Sequence, residues 1–306
     1  MPYLHSTFVY DFKTFEKIKS DLNDSKFFHI FDAFYYARET EYTDKDGYLH
    51  YQYFHKDEKE KDEDAKDFDY TLNSDLFRGK HFSTLSNENY NVVALGCSYT
   101  FGFGIPEQYT WPKILEDSIK KNKPNVKMHN LGSPGLGVDS IINNFLTFVS
   151  KYGTPNAIFA LLPDINRHIL YHPDEEKYIT YTPSLISVEN KKRDRHLFNV
   201  IQAYRFEDRA YQAINQIKML ELLCKGFGIK LFWHAWKPDD IDLYEKLKFN
   251  NYINVSNFSG ELGNGFIKIN EKYKKYSHYA RDGIHPGIDY SAFTAEMFLK
   301  VWRASD

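Results

Sequence analysis

Cysteine is nearly absent from this chain, with two thiols, Cys97 and Cys224, in 306 residues. Two are too few for a disulfide framework, and neither sits in a Cys-x-x-Cys or Cys/His cluster, so no metal site is expected. Long apolar runs are missing too. Stretches such as Ala157 to Leu162 cover six residues, where a membrane helix needs ~20. Met1 to Glu16 has neither the cationic start nor the apolar run of a secretory signal, so the expectation is a cytoplasmic protein with no membrane span. No sign of charge dominates, because 39 Lys plus Arg face 42 Asp plus Glu for a net charge of −3. A nucleic-acid partner finds no basic excess here, and neither a polybasic arm nor an acidic tail stands out.

Aromatic residues are in surplus: 24 Tyr, 25 Phe and 4 Trp make 17% of the chain. Aromatic cores are the commoner cause of such a load, and a carbohydrate- or base-stacking surface is the other. The chain changes character near residue 90. Before it come clusters such as Phe27-Phe28-His29-Ile30-Phe31 and Phe34-Tyr35-Tyr36, then a run from Lys56 to Asp67 in which only Ala65 is uncharged. That run mixes both signs and reads as a solvated loop. Residues 1–90 are accordingly an aromatic-rich N-terminal extension, and 91–306 the principal domain.

From Asn91 onward, short apolar runs alternate with amphipathic stretches, the pattern of parallel βαβ units. Strands are expected at Asn91 to Leu95, Val126 to Leu131, Asn156 to Leu162 and Ile229 to Trp236, with a weaker fifth at Tyr252 to Val255. Helices are expected from Trp111 to Lys121 behind Thr110 as N-cap, from Val138 to Tyr152 ending at Gly153, from about His196 to Lys225, and from about Tyr290 to Trp302. Leu170 to Arg195 shows turn and charge signals without a period and reads as a long loop.

Open parallel sheets bind ligands beyond the carboxyl ends of their strands, so chemistry is sought in the residues that follow each strand. The first strand ends in Gly96-Cys97-Ser98-Tyr99-Thr100-Phe101-Gly102-Phe103-Gly104, which exposes Ser98 at a strand-to-helix junction. It carries no Gly-Lys-Ser/Thr and is not a phosphate loop. The second ends in Gly132-Ser133-Pro134-Gly135-Leu136-Gly137, whose backbone N–H groups could donate to a developing oxyanion or simply form a turn. The third ends in the polar cluster Pro163-Asp164-Ile165-Asn166-Arg167-His168, and His234 lies near the end of the fourth. Near the C-terminus, Arg281-Asp282-Gly283-Ile284-His285-Pro286-Gly287 places an Asp three residues before a His, a spacing that lets the carboxylate fix the imidazole tautomer and stabilise the imidazolium.

These blocks resemble the SGNH hydrolases, also called GDSL-type esterases, from about Asn91 to the C-terminus. Gly96-Cys97-Ser98 resembles the first block with its nucleophilic serine, Gly135 falls at the glycine of the second, and Asp282-Gly283-Ile284-His285 resembles the last. Asn73 to Gly79 resembles a short segment that precedes the serine block in some members, which implies that residues 1–90 pack on the hydrolase domain instead of forming an independent module. The resemblance implies a three-layer α/β/α flavodoxin-like fold with a parallel five-stranded sheet, and a serine hydrolase of carboxylic esters with Ser98, His285 and Asp282 as its triad and no cofactor. Two departures stand out. Cys97 replaces the Asp of the first block and reads as a packed thiol directed away from Ser98. The third block normally reads Gly-x-Asn-Asp, whereas here Asp164 falls at the oxyanion Asn and Asn166 lies two residues later. Either Asn166 swings into the hole, or Asp164 is directed elsewhere, or the backbone N–H groups of Ser98 and Gly135 serve alone. The choice here is Ser98, Gly135 and Asn166, with Asp164, Arg167 and His234 on the substrate side. The expected substrate is a small-molecule or carbohydrate ester, with the aromatic surplus pointing to O-acetyl groups. The alternative is a non-catalytic binding or structural protein that retains the fold.

Overall fold

The computed structural model describes Phe27, His29 and residues 41–52, 68–172, 177–181, 206–247, 249–254, 277–280 and 285–305. Its centre is a parallel sheet of β4 (Tyr90–Gly96), β5 (Val126–Gly132), β6 (Ala157–Leu162) and β9 (Lys230–Ala235), in the order β5-β4-β6-β9. β4 and β6 are apolar because helices cover both of their faces. Side chains alternate across a strand. Val93, Leu95, Ile158, Ala160 and Leu162 therefore share one core with Ile141, Phe145 and Phe148 of α3 (Val138–Tyr152) and Ile217 and Leu220 of α4 (Phe206–Phe227). Val92, Ala94, Ala157, Phe159 and Leu161 share the opposite core with Trp111, Leu115 and Ile119 of α2 (Trp111–Lys120) and Phe298 and Trp302 of α6 (Ile288–Ser305). The molecule is thus a three-layer α/β/α sandwich.

The strand order reverses at β4, whose crossovers lead first to β5 and then to β6 on its other side. This switch point is where open α/β sheets bind ligands. Register brings the strand ends level, with Gly96 opposite both Gly132 and Leu161. The single-turn helix α1 (Ser98–Phe101) then presses onto β5, and a Cβ on Gly132 would lie 2.3 Å from the Phe101 nitrogen. Only glycine permits that approach.

Two expectations change. Among the described residues the sheet has four strands, because the Tyr252 segment joins β9 at a single parallel bridge, Trp233 to Tyr252; Val255 lies outside them. That apolar run is short and follows the polar Asn250-Asn251 turn. The segment read as a loop from Leu170 contains an antiparallel hairpin of β7 (His168–His172) and β8 (Lys177–Tyr181). Before residue 90 an antiparallel sheet, β1 (Glu41–Thr43), β2 (Leu49–Gln52) and β3 (Asp69–Leu72), packs Tyr70 and Leu72 of β3 against Phe101 and Phe103. Helix α5 (Pro238–Leu247) follows β9. The expected start of α4 at His196 lies outside the described residues. Among the described residues no helix is long and apolar enough to cross a membrane.

Candidate active site

Ser98 opens α1 at the carboxyl end of β4, with Cys97 at the N-cap; the Cys97 carbonyl accepts from the Thr100 and Phe101 nitrogens at 3.0 and 2.9 Å. Ser98, expected to stand exposed, is buried with 5% of its surface accessible; the Cys97 thiol is fully buried, yet the Ser98 hydroxyl lies 3.9 Å from its sulfur. Strand alternation does not extend through a strand-to-helix turn, so the two side chains approach instead of diverging.

The chain after α1 is held from a distance. Buried Arg78 donates through NH1 to the Phe101 and Gly102 carbonyls at 3.1 and 2.7 Å, and through NH2 to the Ile105 carbonyl at 2.9 Å. Its guanidinium lies 4.8 Å from the Tyr70 ring centre, and the Tyr70 hydroxyl accepts from the Gly104 nitrogen at 2.6 Å. Burial pushes the Arg78 pKa down, but a guanidinium stays charged in proteins.

The loop after β5 carries Gly135 in the left-handed region, φ +81°, which suits glycine and turns the chain sharply. Thr180 donates its hydroxyl to the Gly135 carbonyl at 2.7 Å, and Ser133 is fully buried with its hydroxyl 3.0 Å from His29 Nδ1.

The loop after β6 is held partly by itself and partly by α5, whose buried Asp240 carboxylate accepts from the Ile165 nitrogen at 2.8 Å. Asp164, 6% exposed, accepts at Oδ1 from the Asn166 nitrogen (2.8 Å) and the Asn166 amide (3.1 Å), while Oδ2 meets Lys237 Nζ at 2.8 Å. Its negative charge is thereby paired. Among the described residues, Asn166 Oδ1 is buried without a hydrogen-bond partner, as is Arg167 Nε. Arg167 places its guanidinium 5.9 Å from the Trp236 ring centre and lies 3.4 Å from the Leu136 carbonyl. His234 is 5% exposed and meets the Ile253 carbonyl through Nδ1 at 2.9 Å; burial lowers its pKa to about 4. Its ring ties β9 to the neighbouring segment.

His285 is brought to the serine's end of the sheet. Its ring centre lies 5.8 Å from that of Tyr99 and 5.0 Å from that of Phe103. Tyr99 in turn stacks on Trp236 at 4.5 Å. His285 is anchored by its carbonyl, which accepts from the Ala280 nitrogen at 2.8 Å. Asp282 lies outside the described residues. Among those described, no group of three His, Cys, Asp or Glu side chains could hold a metal ion.

Holding residues that the sequence reading did not single out include His29, Tyr70, Thr180, Lys237 and Asp240, while Arg78 lies in the Asn73 to Gly79 segment without having been given a role. Lys237 alone had a usable signal, since it follows a strand end.

No protein-family model matches the chain, and a search of curated proteins finds no match. Solved structures similar to it include a lipolytic protein of the G-D-S-L family from Veillonella parvula, 15% identical over 70% of this chain and 98% of that one, TM-score 0.37. A psychrotrophic esterase, EstA, from Pseudoalteromonas is 11% identical over 71% and 100%, TM-score 0.39. An alpha/beta hydrolase enzyme from the metagenome of Lake Arreo, Spain, is 13% identical over 74% and 100%, TM-score 0.40. With likenesses this shallow, chemistry must be read from the chain's own side chains.

Proposed function

We propose that the protein is a serine hydrolase of carboxylic esters. His285 takes the Ser98 proton as the hydroxyl attacks the ester carbonyl, and Asp282 orients the imidazole and stabilises its charged form. The N–H groups of Ser98 and Gly135 and the Asn166 amide receive the oxyanion. His285 then protonates the departing alkoxide, and water attacks the acyl-enzyme, releasing the acid and restoring Ser98. No cofactor enters this scheme. Asp164, Arg167 and His234 act on the substrate side, and the substrate in this reading is a carbohydrate O-acetyl ester. Residues 1–90 serve as an extension of the 91–306 hydrolase domain, and the location is cytoplasmic.

The observation that supports the reading is the position of His285 beside the turn that Ser98 opens. The imidazole rests against Tyr99, within that turn, and Phe103, just beyond it. The test is hydrolysis of p-nitrophenyl acetate. Ser98→Ala and His285→Ala should each lower kcat/KM by roughly 10³-fold or more, and the double variant should be no worse, because the two act as a unit. Retained activity in Ser98→Ala together with its loss in Cys97→Ala would overturn the assignment. A non-catalytic binding role is the second reading, favoured by the engagement of the Asn166 amide with Asp164; a folded wild type inert towards every ester would support it.

A further inference from the structure

Ser133 is the first residue beyond β5, and its hydroxyl lies 3.0 Å from Nδ1 of His29, 104 positions earlier in the chain. The other ring nitrogen, Nε2, lies 2.8 Å from the Asp75 carbonyl. A carbonyl only accepts, so Nε2 carries the ring proton, Nδ1 is a bare acceptor, and the Ser133 hydroxyl donates to it. Burial lowers the imidazole pKa to about 4, which keeps the ring neutral at pH 7. The Phe77 ring packs against it at 4.6 Å, and the Asp75 carboxylate is anchored by Lys151 at 2.7 Å and by the Tyr152 hydroxyl. A directed chain of contacts therefore runs from Asp75 through His29 to Ser133, two residues before Gly135.

We infer that His29 is a positioning residue for the Gly132 to Gly137 loop, fixing Ser133 so that the Gly135 N–H is held ready for the oxyanion. The role of Gly135 rests on the esterase reading above; the tether does not. Thr180 holds the Gly135 carbonyl on the far flank, so the loop is pinned on both sides of the glycine. A donor fixed in advance stabilises developing charge without reorganising, so loosening it should lower kcat more than it alters KM.

The test uses the full chain and three variants. His29→Gln keeps an amide donor near the Asp75 carbonyl but removes the acceptor from Ser133; His29→Asn keeps an acceptor near the Nδ1 position; Ser133→Ala deletes one hydroxyl. On p-nitrophenyl acetate, His29→Gln and Ser133→Ala should each lower kcat about tenfold with KM within about twofold, the double variant should match either single one, and His29→Asn should recover most of the loss. Undiminished kcat in folded His29→Gln, or losses that simply add, would overturn the inference. Amide hydrogen exchange supplies a readout that needs no turnover. The Gly135 and Leu136 amides should exchange about tenfold faster in Ser133→Ala while those of β4 do not change. If the wild type hydrolyses no ester, the esterase reading fails, and exchange alone decides the tether: unchanged rates at Gly135 and Leu136 would refute it.

Discussion

The loops after β4 and β6 leave the same edge of the sheet from buried strands, yet they are held in different ways. The β4 loop, which carries Ser98, depends on a residue outside the parallel sheet: Arg78 grips three of its carbonyls. The β6 loop turns on its own Asp164, which collects the nitrogen and amide of Asn166 two residues on and pairs with Lys237, while the buried Asp240 carboxylate of α5 accepts from the Ile165 nitrogen at 2.8 Å. A Ser98 loop shaped by Arg78 makes the region before β4 part of the candidate site's architecture. In the β6 loop the Asn166 contacts are local, so substitutions of Asn166 should report on chemistry more than on folding.

The largest expected effect breaks the first half of this contrast. Arg78→Met should cost about 3 kcal/mol of unfolding free energy, because three buried carbonyls lose charge-assisted donors, although the variant also relieves the desolvation of a buried cation. Urea denaturation measures it; a cost near zero would show that the loop holds its own shape. Next comes Asn166→Ala, expected to lower kcat roughly 10²-fold with little change in KM or urea midpoint, as for one lost oxyanion donor. Asp164→Asn should have the smallest effect, under about tenfold in kcat, since the amide oxygen can still accept from Asn166 while the charge facing Lys237 is lost. If Asp164→Asn outweighed Asn166→Ala, the charge of Asp164 and not the Asn166 amide would be the functional group.

Much of the sheet was legible because both-face burial writes a continuous apolar run, as in Val92 to Leu95 and Ala157 to Leu162. Helix α3 was equally plain, with its apolar spacing and the terminal Gly153. The hairpin of β7 and β8 was not, since polar residues interrupt its apolar alternation. Ser98, Gly135 and Asn166 could be singled out as candidates because each lies just past a strand, where open parallel sheets bind ligands, and near a block that resembles those of the SGNH hydrolases. His29 and Thr180 could not, because their partners lie 104 and 45 residues away and no local pattern encodes such pairings; Arg78 fell in the Asn73 to Gly79 segment, but nothing local pointed to its partners 23 to 27 residues on. The nearness of Cys97 and Ser98 was misread for a related reason: a rule for strands was carried across a turn.

The central claim is that Ser98 is an activated nucleophile, and labelling with a fluorophosphonate followed by peptide mass analysis tests it most directly. The expected result is a single phosphonyl adduct on Ser98, formed at neutral pH, strongly slowed in His285→Ala and absent from Ser98→Ala. A folded wild-type protein that takes no adduct at Ser98, or an adduct that survives Ser98→Ala, would contradict it.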